Sequence, residues 1–559
     1  MSDNPHPASY SSPQRASGQS GLSWFLSRFN RHTHELFRLA GPVVISRAGI
    51  LTLALTDTIM LGPLGAEEVG RYGLGTSAFI LLLVCGIGLM FGTVVETSHL
   101  RGAGRVAETG QVWRRALPYG IVLGIIGVVM TQFAETYFLL VGQDPHLAKI
   151  SASVTHIQGI GLLPLMIYMA SNYYLEAMGR PVPGMIIVWG VNLVNIPLNL
   201  WLIHGGMGVE GADGAALATT ICRTLMMIGV TGYVWYLGGR QDYGIRQRPQ
   251  PGWIAGGKVM RRHGYAAGPA YAAESGAYHV LHIYAGWMAA NELASFTVNM
   301  NLLSMIFMIS LGIANATAVR VGVAHGRRDW PDRALAGWTG MFWNMVLLLP
   351  IAVVLWFMPE QTMAVMYQIT DQELLHVMAP ATMLVGVAMM LDGGQFTLAN
   401  ALRGTGDKWS PTFINLVGFI GSMIPAAYII GIVMGRGAQG LYEAILLGAT
   451  LACVILVMTA IRPGRSSGGP LPTRWNNAPW KCAGRRFQDQ CPGLRHSAVH
   501  RNGPPQHIGP VPQARLPVPL AYALEYPVRM SPPAVRGQTP ADQSGGYPAW
   551  FPARPETAP

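Results

Sequence analysis

The sequence predicts an all-α membrane protein, with twelve transmembrane helices in two pseudo-symmetric six-helix lobes. Three observations carry that reading. Half of the 559 residues are hydrophobic and only 12% are charged, against about 25% in an ordinary soluble domain. Apolar runs near the ~20 residues that a bilayer core demands recur along the chain. Segments 227 residues apart also resemble one another. A mean hydropathy of +0.31 and 68 glycines fit the same class, since glycine is frequent in membrane helices.

The expected spans are 36–62, 70–98, 115–141, 147–178, 181–204 and 214–238, then 262–288, 291–325, 334–357, 373–402, 410–434 and 438–461. Several exceed 20 residues, so tilt or protruding ends are expected. The first 35 residues form a polar segment with no signal-peptide pattern. Residues 36–239 make a first lobe, 240–261 a linker and 262–461 a second lobe. Residues 462–559 are rich in Pro, Gly, Arg and Gln, show no apolar period and read as a disordered, non-native or cytoplasmic tail.

Charge fixes the orientation. Arg101, Arg105, Arg114 and Arg115 lie between spans two and three, and Arg327, Arg328 and Arg333 between eight and nine. The alternate loops hold Glu67, Glu68, Asp144, Glu210, Asp213, Glu360 and Asp371, with few bases. Basic loops face the cytoplasm. Both termini are therefore expected there, which an even number of spans allows. The net charge of +11 is scattered over short loops, so no nucleic-acid partner is expected.

The repeat is legible in short pieces. AGPVVISR from Ala40 matches AGPAYAAE from Ala267, and GADG at 211–214 matches GAQG at 437–440. Pro183 and Pro197 are 14 apart, as are Pro411 and Pro425. Six spans per copy make a parallel repeat, related by an axis along the membrane normal. Pro42 and Pro269 mark matching bends.

Three acids fall deep in spans: Asp57, Glu274 and Asp392. Glu96 and Glu176 lie nearer span ends. A charged side chain at the bilayer centre costs about 2.5–3.5 kcal/mol on insertion scales, so such acids mark ion or substrate pathways by default. A carboxylate out of water attracts cations, and it also holds a proton more readily than in water. One site can therefore exchange one positive charge for another. The bland alternative is helix-to-helix pairing. Asn192, Asn195 and Asn199 share one helical face, and such amides can bind a hard cation or simply tie helices together. Arg47 needs a partner on another helix, a wet cavity or an interface to reach. His279 and His282 are a proton relay to Glu274 or, more plainly, an interhelical contact. GADG lacks the βα context of a dinucleotide fingerprint, and the Asn315-Ala316-Thr317 sequon lies inside a span. The five cysteines have no metal-ligand spacing. No enzymatic motif and no cofactor site is expected.

Several stretches resemble the multidrug and toxic compound extrusion (MATE) family, nearest its NorM-like bacterial branch. They are DTIMLG at 57–62, EAMGRP at 176–181, NIPLN at 195–199, GADGAALAT at 211–219, GIANATAVRVG at 312–322 and NALRGTGD at 400–407. The resemblance implies two six-helix lobes around a central cavity, and export of organic cations or drugs against H+ or Na+ entry by alternating access. It implies a multi-pass protein of the bacterial inner membrane, working as a monomer among membrane lipids. It places Asp57, Asn195, Asn199 and Thr219 in a first-lobe cation or substrate site, and Glu274 and Asp392 in a second-lobe site, with Na+ a candidate ion at Glu274, Asp392 or Asp57. The family's tyrosine four residues before the aspartate is Ala388 here, so that ligand is missing and proton coupling is favoured. A related flippase for lipid-linked saccharides is the alternative, but its phosphate-bearing substrate calls for a cationic cavity. A channel or a receptor explains neither the acids nor the paired bends.

Overall fold

The computed structural model describes residues 21–248, 256–367 and 371–461. The expected tail, 462–559, lies outside the described residues, as does the middle of the 240–261 linker.

The described residues are helical, apart from short turns and one isolated bridge between His204 and Glu210. α1 is Gly21–Leu61, α2 Ala66–Met90 and α3 Gly92–Gly102. α4 is Thr109–Thr131, α5 Ala134–Leu140, α6 Pro145–Ile160 and α7 Leu162–Ala177. α8 is Val182–Ile203 and α9 Gly211–Arg240. The second half repeats the series with α10 at Lys258–Gly286, α11 at Ala290–Gly326, α12 at Trp330–Phe357 and α13 at Pro359–Tyr367. α14 is Gln372–Gly404, α15 spans Ser410–Val433 with two π-helical stretches, and α16 is Gly437–Ile461. Local chemistry starts several of these. The Asp144 carboxylate accepts from the amides of His146 and Leu147, and Asp371 accepts from Glu373 and Leu374, both satisfying donors that a helix start leaves free.

Among the described residues, eleven helices are long and apolar enough to cross a membrane, against twelve expected. The difference is the seventh. α10 exists where it was expected and has 29 residues, but it carries Arg261, Arg262, His263, Glu274, His279 and His282. Its neighbours α2, α3, α11 and α15 bury His263 and Glu274, so low hydropathy and a spanning length coexist. The first helix also differs. Residues 21–35, expected as a polar lead-in, are continuous with the span. Their charges find partners at the start of α12, on its N-cap Asp329 and its first-turn Asp332. Arg28 reaches Asp329 at 3.1 Å, and Arg31 and His32 reach the fully buried Asp332 at 2.5 and 2.9 Å. α1 and α10 run through Pro42 and Pro269 without a break.

Packing follows the repeat. α1 lies on α8, α9 on α7 and α7 on α4, while α11 and α12 lie on α14 and α14 on α16. Between the halves, the second span (α2, α3) packs on α10, and α1 packs on α11. The first pair of helices in each half thus meets the first pair of the other, as a two-fold relation requires. One motif recurs almost atom for atom. The Glu68 carboxylate accepts from the Ala212 amide at 2.6 Å, and Glu292 accepts from the Ala438 amide at 2.6 Å. Gly211 and Gly437 stand beside them at φ +55 and +57. A side chain there would be strained and would run into the carboxylate. That explains why GADG and GAQG keep their first glycine.

Candidate cation sites in the two halves

Asp57 comes from the C-terminal part of α1 and is wholly buried. Four uncharged donors converge on it. Tyr72 donates through its hydroxyl at 2.7 Å, Asn199 through Nδ2 at 2.6 Å and Asn195 through Nδ2 at 3.3 Å. The Thr219 hydroxyl also donates to it. These residues sit on α2, α8 and α9. Asn195 and Asn199 are one helical turn apart on α8, and Asn199 Nδ2 also donates to the Asn195 side-chain Oδ1 at 3.1 Å. The carboxylate thus has hydrogen-bond partners from three helices, and among the described residues it forms no salt bridge. Arg223, on α9, lies within electrostatic reach, with its guanidinium over the Phe79 ring at 4.3 Å. The three neutral residues expected beside Asp57 are all there. Asn192 is not: it donates to the carbonyls of Gly49 and Val188 instead. Tyr72 was not anticipated, because it lies beyond the turn after α1 and only tertiary packing brings it back.

In the second half, Asp392 is buried on α14 and accepts from Gln395 Nε2 at 3.1 Å and from the Tyr278 hydroxyl at 3.3 Å. Glu274 and Tyr278 are four residues apart on α10, hence on one face. Both lie within electrostatic reach of Asp392. Among the described residues, the Glu274 Oε2 atom has no hydrogen-bond partner. The hydroxyl that Ala388 cannot supply is therefore supplied from another helix by Tyr278. The i,i+4 relation to Glu274 was the signal that could have found it.

Arg47 is buried and pairs with Glu176 on α7 at 3.0 Å, not with Asp57. Its guanidinium also lies 5.5 Å from the centre of the Tyr173 ring. A buried pair of this kind recovers its desolvation cost only through good geometry and extra hydrogen bonds, and Asn172 adds one to Glu176 at 2.7 Å. The histidines follow the plainer expectation. His279 Nε2 meets the Tyr137 hydroxyl at 3.3 Å, and His282 lies edge-on to Phe296. The Glu96 Oε2 atom is buried without a partner.

The geometry has counterparts in known proteins. The MatE family model matches residues 42–201 and 268–429, one segment in each half of the repeat. A Caulobacter vibrioides protein named "Probable multidrug resistance protein NorM" is 32% identical over 430 residues, which are 76% of this chain and 90% of that one. A crystal structure of a eukaryotic MATE transporter has a TM-score of 0.72 at 17% identity, covering 78% of this chain and 97% of its own. Another, described as the outward-facing conformation of a multidrug resistance MATE family transporter, has a TM-score of 0.69 at 19% identity, with 76% and 94% covered. At such identities the structures speak for the fold alone. The family match across both halves, with the 32% identical relative, goes further: the chain belongs to the MatE family of membrane transporters and is not an enzyme.

Proposed function

We propose that the chain is a cation-coupled antiporter that exports organic, mainly cationic and amphiphilic compounds by alternating access. The observation that carries this reading is Asp57: a fully buried carboxylate held by four neutral donors. Buried structural acids are normally neutralised by a partner charge. Here the charge is kept available for something that arrives and leaves. The second-half site repeats the theme with two acids, Glu274 and Asp392, and with Tyr278 and Gln395 as neutral partners. Two lobes, 36–239 and 262–461, rock against each other in this reading, and the relative's printed name supports multidrug substrates. The protein acts as a monomer in the bacterial inner membrane with both termini cytoplasmic, consistent with its basic loops. The buried carboxylates of Asp57, Glu274 and Asp392 argue against a saccharide flippase, whose phosphate-bearing substrate they would repel.

The coupling ion in this reading is H+. Every partner of Asp57 turns an N–H or O–H group toward it, not the oxygen lone pairs that a metal cation would need. Na+ instead needs several oxygens turned toward it. The deciding experiment is export of a cationic dye by everted vesicles, with a pH gradient and no sodium. Export under those conditions that a protonophore abolishes is expected. Export that stays at zero until sodium is added, indifferent to the protonophore, overturns the proton reading. No export with either ion overturns antiport.

A further inference from the structure

The two halves carry the same buried pair of charges in opposite order. Arg47 on α1 and Glu176 on α7 are matched, 227 residues on, by Glu274 on α10 and Arg403 on α14. The surroundings match too. Tyr173 is three residues before Glu176, and Tyr271 is three before Glu274. The Arg47 guanidinium lies 5.5 Å from the Tyr173 ring, and that of Arg403 lies 5.3 Å from the Tyr271 ring. In the first half the pair is closed, at 3.0 Å. In the second half it is open. Arg403 gives Nη1 to the Asn400 side chain at 2.8 Å, and among the described residues its Nε and Nη2 have no hydrogen-bond partner. Glu274 Oε2 has none either, and it feels the charges of both Asp392 and Arg403. Two opposite, buried and incompletely satisfied ions thus sit close together without touching. Leaving a buried polar atom unpaired costs about 1–3 kcal/mol, more when it is charged, so there is a standing drive to close the gap.

We propose that Arg403 is the displaceable internal counter-ion of Glu274. When the second-half site gives up its cation, the guanidinium swings from Asn400 to Glu274 and makes the pair that Arg47 and Glu176 already make. A cation arriving from outside must displace it, and the open pair seen here is the cation-ready arrangement. Arg403 touches no transported species; it positions and competes. A neutral compound cannot displace a guanidinium from a carboxylate, so the device also selects for positive charge. Arg47–Glu176 is the fixed version, with nothing to exchange. This inference rests on the antiporter reading for its purpose, but the pairing itself does not.

The test uses the full-length chain in nanodiscs with tetraphenylphosphonium as probe. A neighbouring opposite charge changes the cation affinity of a carboxylate by roughly one to three powers of ten. Arg403→Gln is therefore expected to tighten tetraphenylphosphonium binding at least about tenfold. In vesicles it is expected to lower KM and the maximal rate together, because the probe is no longer pushed off. Arg403→Lys keeps a charge and should stay near wild type on both measures. Unchanged or weaker binding by folded Arg403→Gln overturns the proposal. A second measurement holds even if single variants fold poorly. The exchanged pair, Glu274→Arg with Arg403→Glu, copies the polarity of the first half and is expected to regain most of the thermal stability lost by either single change. A double variant no better than the worse single variant overturns the pairing. Wild-type chain that binds no tetraphenylphosphonium overturns the antiporter reading instead, and the exchange then decides the pairing by itself.

Discussion

Asp57→Asn and Asp57→Ala separate what the charge does from what the hydrogen bonds do. Four donors point at the carboxylate. In Asp57→Asn the remaining carbonyl oxygen can still accept from Asn195 and Asn199, both of which address Oδ1. The new NH2 faces the hydroxyls of Tyr72 and Thr219, which address Oδ2 and can rotate to accept. Bonds to a charged acceptor contribute about 1.5–3 kcal/mol and neutral ones about 0.5–1.5, so roughly 4 kcal/mol is lost over four bonds. A neutral side chain offsets that by removing a desolvation penalty of several kcal/mol. Net stability should therefore move by no more than about 2 kcal/mol. In Asp57→Ala the donors lose their acceptor altogether. At about 1–3 kcal/mol each the loss is at least ~4 kcal/mol. Thermal unfolding in detergent should show Asn near wild type and Ala well below it. Dye export from vesicles should be near background for both. Equal stability of the two variants would refute the donor cage. Wild-type export by Asp57→Asn would refute the cation role.

Tyr278→Phe should impair export several-fold, and adding Ala388→Tyr should restore it if a hydroxyl on Asp392 is what matters; vesicle assays of the single and double variants check this. Gly211→Ala and Gly437→Ala should each cost about 2–3 kcal/mol, from left-handed backbone strain plus the carboxylate beside them. Glu68→Ala should relieve part of the first cost but none of the second, as a thermal double-mutant cycle will read. Asp332→Asn removes the buried charge that Arg28, Arg31 and Arg327 share, and should lower stability by about 3–5 kcal/mol, seen as a lower unfolding midpoint.

Much of this arrangement was legible because membrane helices obey a narrow rule. Backbone groups must be satisfied within the helix, so long apolar runs map directly onto spans, and the eleven apolar helices fall where they were expected. The exception, α10, failed the hydropathy criterion for the same reason that it matters: it carries Glu274 and Tyr278 inward. The first-half site was legible through the family resemblance, which singled out Asn195, Asn199 and Thr219; helical spacing alone also grouped Asn192, which bonds elsewhere. Tyr72 was not legible, because nothing local ties it to Asp57. Arg47 shows the limit most clearly. The repeat revealed that it stands where the other half has Glu274, but its partner lies on α7, 129 residues away, and only packing could name it. The repeat held that answer in a second form, since Glu176 and Arg403 stand at the same offset.

The reversed order of those charges has a consequence for ancestry. A parallel repeat can begin as two identical six-helix chains side by side in one orientation, each offering the same residue at the same place. Such a homodimer cannot put arginine at a position in one copy and glutamate at that position in the other. Any substitution appears twice. Joining the copies into one polypeptide frees each half to mutate alone. The crossed pattern of Arg47 with Glu176 and Glu274 with Arg403 therefore arose once the two copies could vary independently, and it left a closed pair in one half and an open one in the other.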